Sequence, residues 1–162
     1  MLGQARFDDV YGSAMTSGSR TDGWQTVGDG PFAGWQTWVG DPYEDMVGPY
    51  YFHTAEDGSP RGAFEPEAKH ANGGGIVHGG ALMSFADAAI GALLYMTLSG
   101  QFAVTVTLNS EFVGAGVVGS PIYATGRIVR DTKSLVFVHG QLEQADKPIF
   151  TFSSVMKKIT PR

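Results

Sequence analysis

Apolar residues run almost without interruption from Gly79 to Leu98 (GGALMSFADAAIGALLYMTL), and the text after this run alternates between apolar and polar positions. The run predicts one long helix that stops at Ser99-Gly100, a common form of C-terminal punctuation. Before it, Tyr50–Thr54 predicts a strand, Glu56 to Pro60 a turn, and Arg61–Lys69 a second strand, followed by a loop of His70, Ala71, Asn72 and three glycines. After it come four strand-like stretches, Gln101–Phe112, Ile122–Arg130, Leu135–Gln144 and Pro148–Lys158, joined by short turns such as Asp131-Thr132-Lys133. In the first of these, Val104, Val106 and Leu108 share one face and Ala103, Thr105, Thr107 and Asn109 the other. One helix and a meander of long antiparallel strands is an α+β pattern. The helix is apolar on nearly every face, so something must surround it, and a curved antiparallel sheet wrapping a central helix meets that need. Residues 1–30, rich in glycine, serine and aspartate, predict an irregular or weakly helical lead-in, with a single domain over 31–162. A short echo, GWQTVGDG at 23–30 and GWQTWVGD at 34–41, is too brief for a repeat architecture. Trp24, Trp35 and Trp38 read as anchors that pack this segment on the core, with a ligand tunnel as the alternative.

Gly79–Leu98 is about as long as a bilayer core requires. Asp87 near its middle and the lack of flanking lysine or arginine speak against insertion, and a helix buried in a sheet explains the run better. The 162 residues suffice for one domain with a sizeable core. There is no cysteine, hence no disulfide, thiolate metal site or thiol nucleophile. The first dozen residues have neither a basic start nor an apolar run, so a cytoplasmic location is expected. A net charge of −5 argues against a nucleic-acid partner. Its distribution is uneven: residues 1–126 hold four basic and thirteen acidic side chains, whereas 127–162 hold seven and three. The basic end suits a small polyanion, or it is merely solvated strand surface.

The chemistry concentrates in Asn72-Gly-Gly-Gly-Ile-Val-His78-Gly79-Gly80-Ala-Leu-Met-Ser-Phe-Ala-Asp87. Gly79 and Gly80 open the helix, where free N–H groups and the positive dipole end can polarise a carbonyl oxygen, and glycine allows close approach. A tightly packed turn is the plainer reading. Asp87 lies inside the apolar helix, where an unpartnered buried acid is costly, so it is expected to be functional or to hydrogen-bond Ser84 or nearby backbone. Eight residues of helix span about 12 Å, too far for one carbonyl to meet both Gly79 N–H and Asp87 of one chain. If both act on one substrate, they come from two subunits of a homodimer. The glycine-rich stretch lacks the ending of a phosphate loop, and no nucleophile-elbow motif exists. His53, His70, His78 and His139 lack metal-ligand spacing. His78, at the helix entrance, is placed to brace the loop holding Asn72.

The spacing His70-Ala-Asn72, five residues, His78-Gly79-Gly80, six residues, Asp87, with Val104–Asn109 and Asp131–Leu135 downstream, resembles the PaaI-like hotdog thioesterases of phenylacetic acid degradation. The resemblance runs from about residue 45 to the C-terminus. It implies a hotdog fold and an acyl-CoA thioesterase needing no metal or organic cofactor. Asn72 and the Gly79 N–H would bind the thioester carbonyl, and Asp87 of the partner subunit would attack it or activate water. Thr105 falls where the family carries a small hydroxyl, usually serine. Lys133, with Arg130, Ser134 and Gly80, would meet coenzyme A. A homodimer that pairs into a tetramer is expected, with acyl-CoA as its ligand and no nucleic acid or membrane partner. The rival is a non-catalytic acyl-CoA binding module on the same fold, because fold does not dictate function.

Overall fold

The computed structural model describes residues 23–159. Eight antiparallel strands form one sheet: β1 Trp24–Thr26, β2 Gln36–Trp38, β3 Tyr50–Thr54, β4 Pro60–Phe64, β5 Ala103–Phe112, β6 Ile122–Asp131, β7 Leu135–Gln144 and β8 Lys147–Lys158. Their order across the sheet is β1-β2-β3-β4-β6-β7-β8-β5, which leaves β5 on one edge. A short helix α1 (Pro42–Val47) links β2 to β3, and the long helix α2 (Gly79–Thr97) lies in the concave face of the sheet. This is the α+β architecture of a helix wrapped by a curved sheet. Phe85, Ile90 and Leu94 of α2 are fully buried against Phe64, Ile122, Val136, Val138 and Phe150 of the strands. Among the described residues α2 is the one helix long and apolar enough to cross a bilayer, and its apolar side is occupied by the sheet.

Local chemistry accounts for the ends of the elements. Asp41 caps α1 by accepting from Tyr43 N and Glu44 N, with Pro42 at the first helical position. α2 closes where Ser99 and Gly100 adopt positive φ and Gly100 N donates to Tyr95 O at 2.8 Å. Between β7 and β8, Ala145 and Asp146 (φ 50 and 60) form a two-residue turn whose twist matches that of the paired strands.

Three expectations are corrected. The strand expected over Arg61–Lys69 ends at Phe64. Pro66 has no N–H to donate to a ladder, and Ala68–His70 turns into a 3-10 helix instead. The lead-in is not wholly irregular: residues 1–22 lie outside the described residues, but Trp24–Thr26 is a strand of the sheet. Its partner is its own echo, with Trp24 opposite Trp38 and Thr26 opposite Gln36. Finally, Thr105 and Thr107 do not share a face. The register between them shifts at Val106, so Thr105 pairs with buried Met156 on the helix side while Thr107 pairs with Val155 on the outer side.

Two glycines face each other under α2, Gly126 on β6 and Gly140 on β7. A Cβ on Gly126 would stand 2.9 Å from Leu93 Cδ1, and one on Gly140 would overlap the Phe152 ring and lie 2.5 Å from Thr125 O. Gly140→Ala is therefore expected to destabilise by roughly 1–3 kcal/mol, the usual cost of overpacking. Thermal unfolding measures this as a Tm lowered by about 2–4 °C per kcal/mol in a domain of this size. An unchanged Tm would mean that both the Phe152 ring and the Thr125 carbonyl give way freely.

Candidate functional site

The loop from Ala68 to His78 is built around two histidines with different tasks. His70 is buried; its Nδ1 accepts from Glu67 N (2.8 Å) and its Nε2–H donates to Val47 O (2.9 Å), tying the loop to α1. Backbone bonds then fold residues 71–77 into a narrow hairpin: Asn72 N donates to Ile76 O, Gly75 N to Asn72 O and His78 N to His70 O. Gly75 sits at φ 79, a conformation that favours glycine. Asn72 Oδ1 accepts from Gly74 N (2.8 Å), which orients its amide at the hairpin tip. His78 braces this loop through its backbone N–H alone. Its ring is the N-cap of α2, with Nδ1 accepting from Gly80 N at 2.8 Å. The side-chain brace expected of His78 thus belongs to His70, because the buried ring is the one that can reach two backbone segments.

The His78 cap takes up the N–H of Gly80, while Ala81 N and Leu82 N bond back to His78 O. Gly79 N–H has no acceptor among the described residues. Phe112 of β5 leans over Gly79, so that a Cβ there would stand 2.9 Å from its ring. β5 runs antiparallel alongside α2 from this point: Ser110 Oγ contacts Met83 Sδ at 3.1 Å, and Thr105 Oγ1 donates to Asp87 Oδ1 at 2.6 Å.

Asp87 is exposed, which corrects the expectation of a buried acid. The helical period places Gly80, Ser84, Asp87 and Gly91 along the side of α2 that the sheet does not cover. Nor does Asp87 bond Ser84, whose hydroxyl donates to Gly80 O (2.9 Å) and meets Tyr43 Oη at 2.7 Å. Its partner is Thr105, brought inward by the bulge at Val106. Asp87 and Thr105 stand together in the wall of a cavity of about 380 Å³, with Ala88, Gly91 and Met156 beside them.

Lys133 and Ser134 are exposed in the turn between β6 and β7. The turn is held by Thr132 Oγ1, which accepts from Leu135 N, and by Lys158, whose Nζ meets Asp131 at 2.5 Å and donates to Thr132 O at 2.9 Å. Asp131, Val136, Met156 and Thr105 follow one another in a single row across four strands. At the usual strand spacing, the turn lies about 14 Å from Thr105. Arg130 pairs with Phe137, on the sheet face turned away from α2. The structure therefore joins Asp87 to Thr105 and His78 to Gly80, sets Asn72 on the loop leading into α2, and keeps Arg130, Lys133 and Ser134 apart from them. Among the described residues, no three His, Asp or Glu side chains are grouped to hold a metal ion.

The Tyr43–Ser84 contact escaped the sequence reading, whereas Trp24 and Trp38 enter the cavity lining, the alternative to their role as anchors. The signal for the two tryptophans was present in the GWQT echo, whose copies pair with each other.

A model of the thioesterase superfamily matches residues 74–149. A Pseudomonas aeruginosa protein, PA0474, provisionally named an esterase, is 28% identical over 115 residues, covering 70% of this chain and 86% of its own. Among solved structures, the E. coli PaaI protein from the phenylacetic acid degradation operon superposes with a TM-score of 0.66 at 21% identity, over 75% of this chain and 86% of that one. The BH2602 protein from Bacillus halodurans, solved with CoA, gives a TM-score of 0.62 at 26% identity, over 68% of this chain and 74% of that one.

The cap geometry makes His78 a structural residue at the helix start. His78→Ala is expected to lower stability by about 1 kcal/mol, as loss of an N-cap does, and to leave kcat within a few-fold. Thermal unfolding beside steady-state rates across pH separates the roles. An unchanged Tm with a lost ionisation in the rate profile would place His78 among the reacting groups.

Proposed function

We propose that the chain is a thioester hydrolase of the thioesterase superfamily on the hotdog fold, and that it hydrolyses acyl-CoA to the free acid and CoA with Asp87 as the reacting carboxylate. The observation that carries this reading is the Asp87–Thr105 pair in the cavity wall, a carboxylate held at 2.6 Å by one hydroxyl and otherwise open to a ligand. A threonine hydroxyl donating to Oδ1 orients the carboxylate and leaves Oδ2 to meet a water or the carbonyl carbon. Either route, general base or nucleophile, ends in the same bond change: the C–S bond breaks, water's oxygen joins the acyl carbon, and the thiol leaves as CoA. The developing oxyanion needs donors. The Gly79 N–H at the positive end of α2, with the Asn72 amide, supplies them. The CoA found with BH2602 supports the choice of acyl carrier. The reaction as proposed draws on no metal or organic cofactor.

The same helix keeps Gly79 and Asp87 about 12 Å apart. A homodimer resolves this by bringing Gly79 and Asn72 of one protomer to Asp87 of its partner. The β5 edge favours such an assembly. It is ten residues long, carries no charge before Glu111, exposes Val106, and has β8 on one side only. An edge of that kind calls for a partner strand. Lys133, exposed in the β6–β7 turn, is assigned to the phosphates of CoA, with Ser134 and Arg130 in support.

Asp87→Ala is expected to lower kcat by about 100-fold or more while the fold persists. Asn72→Ala homodimers should be similarly impaired. Co-expression of the two variants should restore one complete site per heterodimer, read as activity per mole of isolated heterodimer. Near-native turnover by Asp87→Ala would overturn the assignment of the carboxylate, and inert verified heterodimers would overturn the shared site.

Lys133→Ala is expected to raise KM for acyl-CoA by about two- to fivefold, the scale of an exposed ion pair, with kcat unchanged. The increase should fade in high salt and be absent for a pantetheine thioester lacking the nucleotide. Equal loss on both substrates would remove Lys133 from the phosphate site.

A further inference from the structure

Four aromatic side chains close a ring in the wall of the cavity, its Tyr95 about 12 Å along α2 from Asp87. Trp24 meets Trp38 edge-on with centroids 5.2 Å apart, Trp38 meets Phe102 at 6.4 Å, Phe102 meets Tyr95 at 5.1 Å, and Tyr95 returns to Trp24 at 5.6 Å. All four line the same cavity as Asp87 and Thr105. Two of them, Trp24 and Trp38, come from the β1–β2 hairpin, which lies wholly outside the span matched by the superfamily. The other two stand on the last turn of α2 and on the residue before β5.

The hairpin is built to hold these rings in place. Trp24 and Trp38 are directly paired in register, and Gly23 leaves room for the Trp38 ring, since a Cβ there would lie 2.6 Å from its Cε2. Trp24 also contacts Phe52 of β3 at 5.8 Å. Such edge-to-face contacts each add about 0.5–1.5 kcal/mol beyond burial, so the ring is stiff. Trp24 Nε1 is enclosed without an acceptor among the described residues. The wall therefore offers an occupant apolar surface and no hydrogen bond from that indole. Opposite it the floor is small: Gly91 and Ala92 of α2, one turn past Asp87, where a Cβ on Gly91 would meet nothing within 4 Å.

Resting on the hydrolase reading above, we propose that the β1–β2 hairpin, through Trp24 and Trp38, is the specificity-determining end wall of the acyl pocket, and that it selects apolar acyl groups of limited length. A thioester whose carbonyl stands at Asp87 has its acyl chain directed along Gly91 and Ala92 toward the ring. A volume of about 380 Å³ is at the small end of ligand cavities, enough for a compact apolar group. A longer chain meets the aromatic wall. Asp41 and Glu44, both engaged within the fold, also contribute to the lining, which disfavours acyl groups ending in a carboxylate.

The test is kcat/KM across a straight-chain acyl-CoA series from butanoyl to hexadecanoyl, for the full-length wild type, Trp38→Ala and Gly91→Leu. The wild type should peak within the series and then fall. Trp38→Ala should move the peak to longer chains, gaining about fourfold for each methylene newly buried, which corresponds to ~0.8 kcal/mol per CH2. Gly91→Leu fills the floor without touching the hairpin and should move the peak to shorter chains. It decides the matter if Trp38→Ala does not fold. A length profile unchanged in both variants, with turnover intact, overturns this inference and leaves the hydrolase reading standing. No turnover of any acyl-CoA by the wild type overturns the hydrolase reading and this inference with it.

Discussion

Helix α2 is covered on one side only. Phe85, Ile90 and Leu94 sink into the sheet, while Gly80, Ser84, Asp87 and Gly91 follow one another along a bare stripe at the helical period. Everything that concerns chemistry is arranged along that stripe: the helix N-terminus with Gly79 at one end, the carboxylate in the middle, and small residues flooring a cavity beyond it. An α-helix is a rigid ruler, so these groups cannot slide toward one another. The rest of the molecule has to work around fixed separations of about 1.5 Å per residue. That constraint is why a second protomer enters the proposed mechanism at all.

The sheet serves the helix at several levels. Gly126 and Gly140 thin it where Leu93 and Phe152 press in. The edge strand β5 lies alongside the open stripe and supplies it with side chains: Phe112 over Gly79, Ser110 against Met83, Thr105 against Asp87. The last of these depends on the bulge at Val106, because the period-2 alternation of an uninterrupted strand would have put Thr105 on the same face as Thr107. A local irregularity of one residue thereby decides which hydroxyl reaches the carboxylate.

The loop before the helix shows the same economy. His70 is buried and spends both ring nitrogens on backbone groups from two segments, whereas His78 spends one on the helix cap. Capping by His78 satisfies Gly80 N–H and leaves the Gly79 N–H unclaimed within the described residues. Farther along, the β1–β2 hairpin adds two indoles to the lining of the cavity that holds Asp87.

Much of this was legible in the amino-acid sequence. The apolar run of 79–98, the alternation of the four later strands and the turn residues between them specify the elements, because burial pattern and backbone preference are local properties. The Asn72, His78-Gly79-Gly80 and Asp87 spacing pointed to the candidate site for a similar reason, since a glycine-rich loop, a helix start and an acid within an apolar helix are local features. Nothing local could say that Asp87 is exposed, because exposure depends on which side of α2 the sheet leaves open. The partnership of Asp87 with Thr105, eighteen positions away, depends on strand register and on a bulge that has no composition signal. The turn from tryptophan anchors to a cavity wall was decided by the pairing of Trp24 with Trp38 and their meeting with Tyr95 and Phe102. Sequence alone determined which elements form and which residues are chemically unusual within them. Tertiary structure decided which of those residues meet, because contacts between distant segments are set by how the sheet curves around the helix.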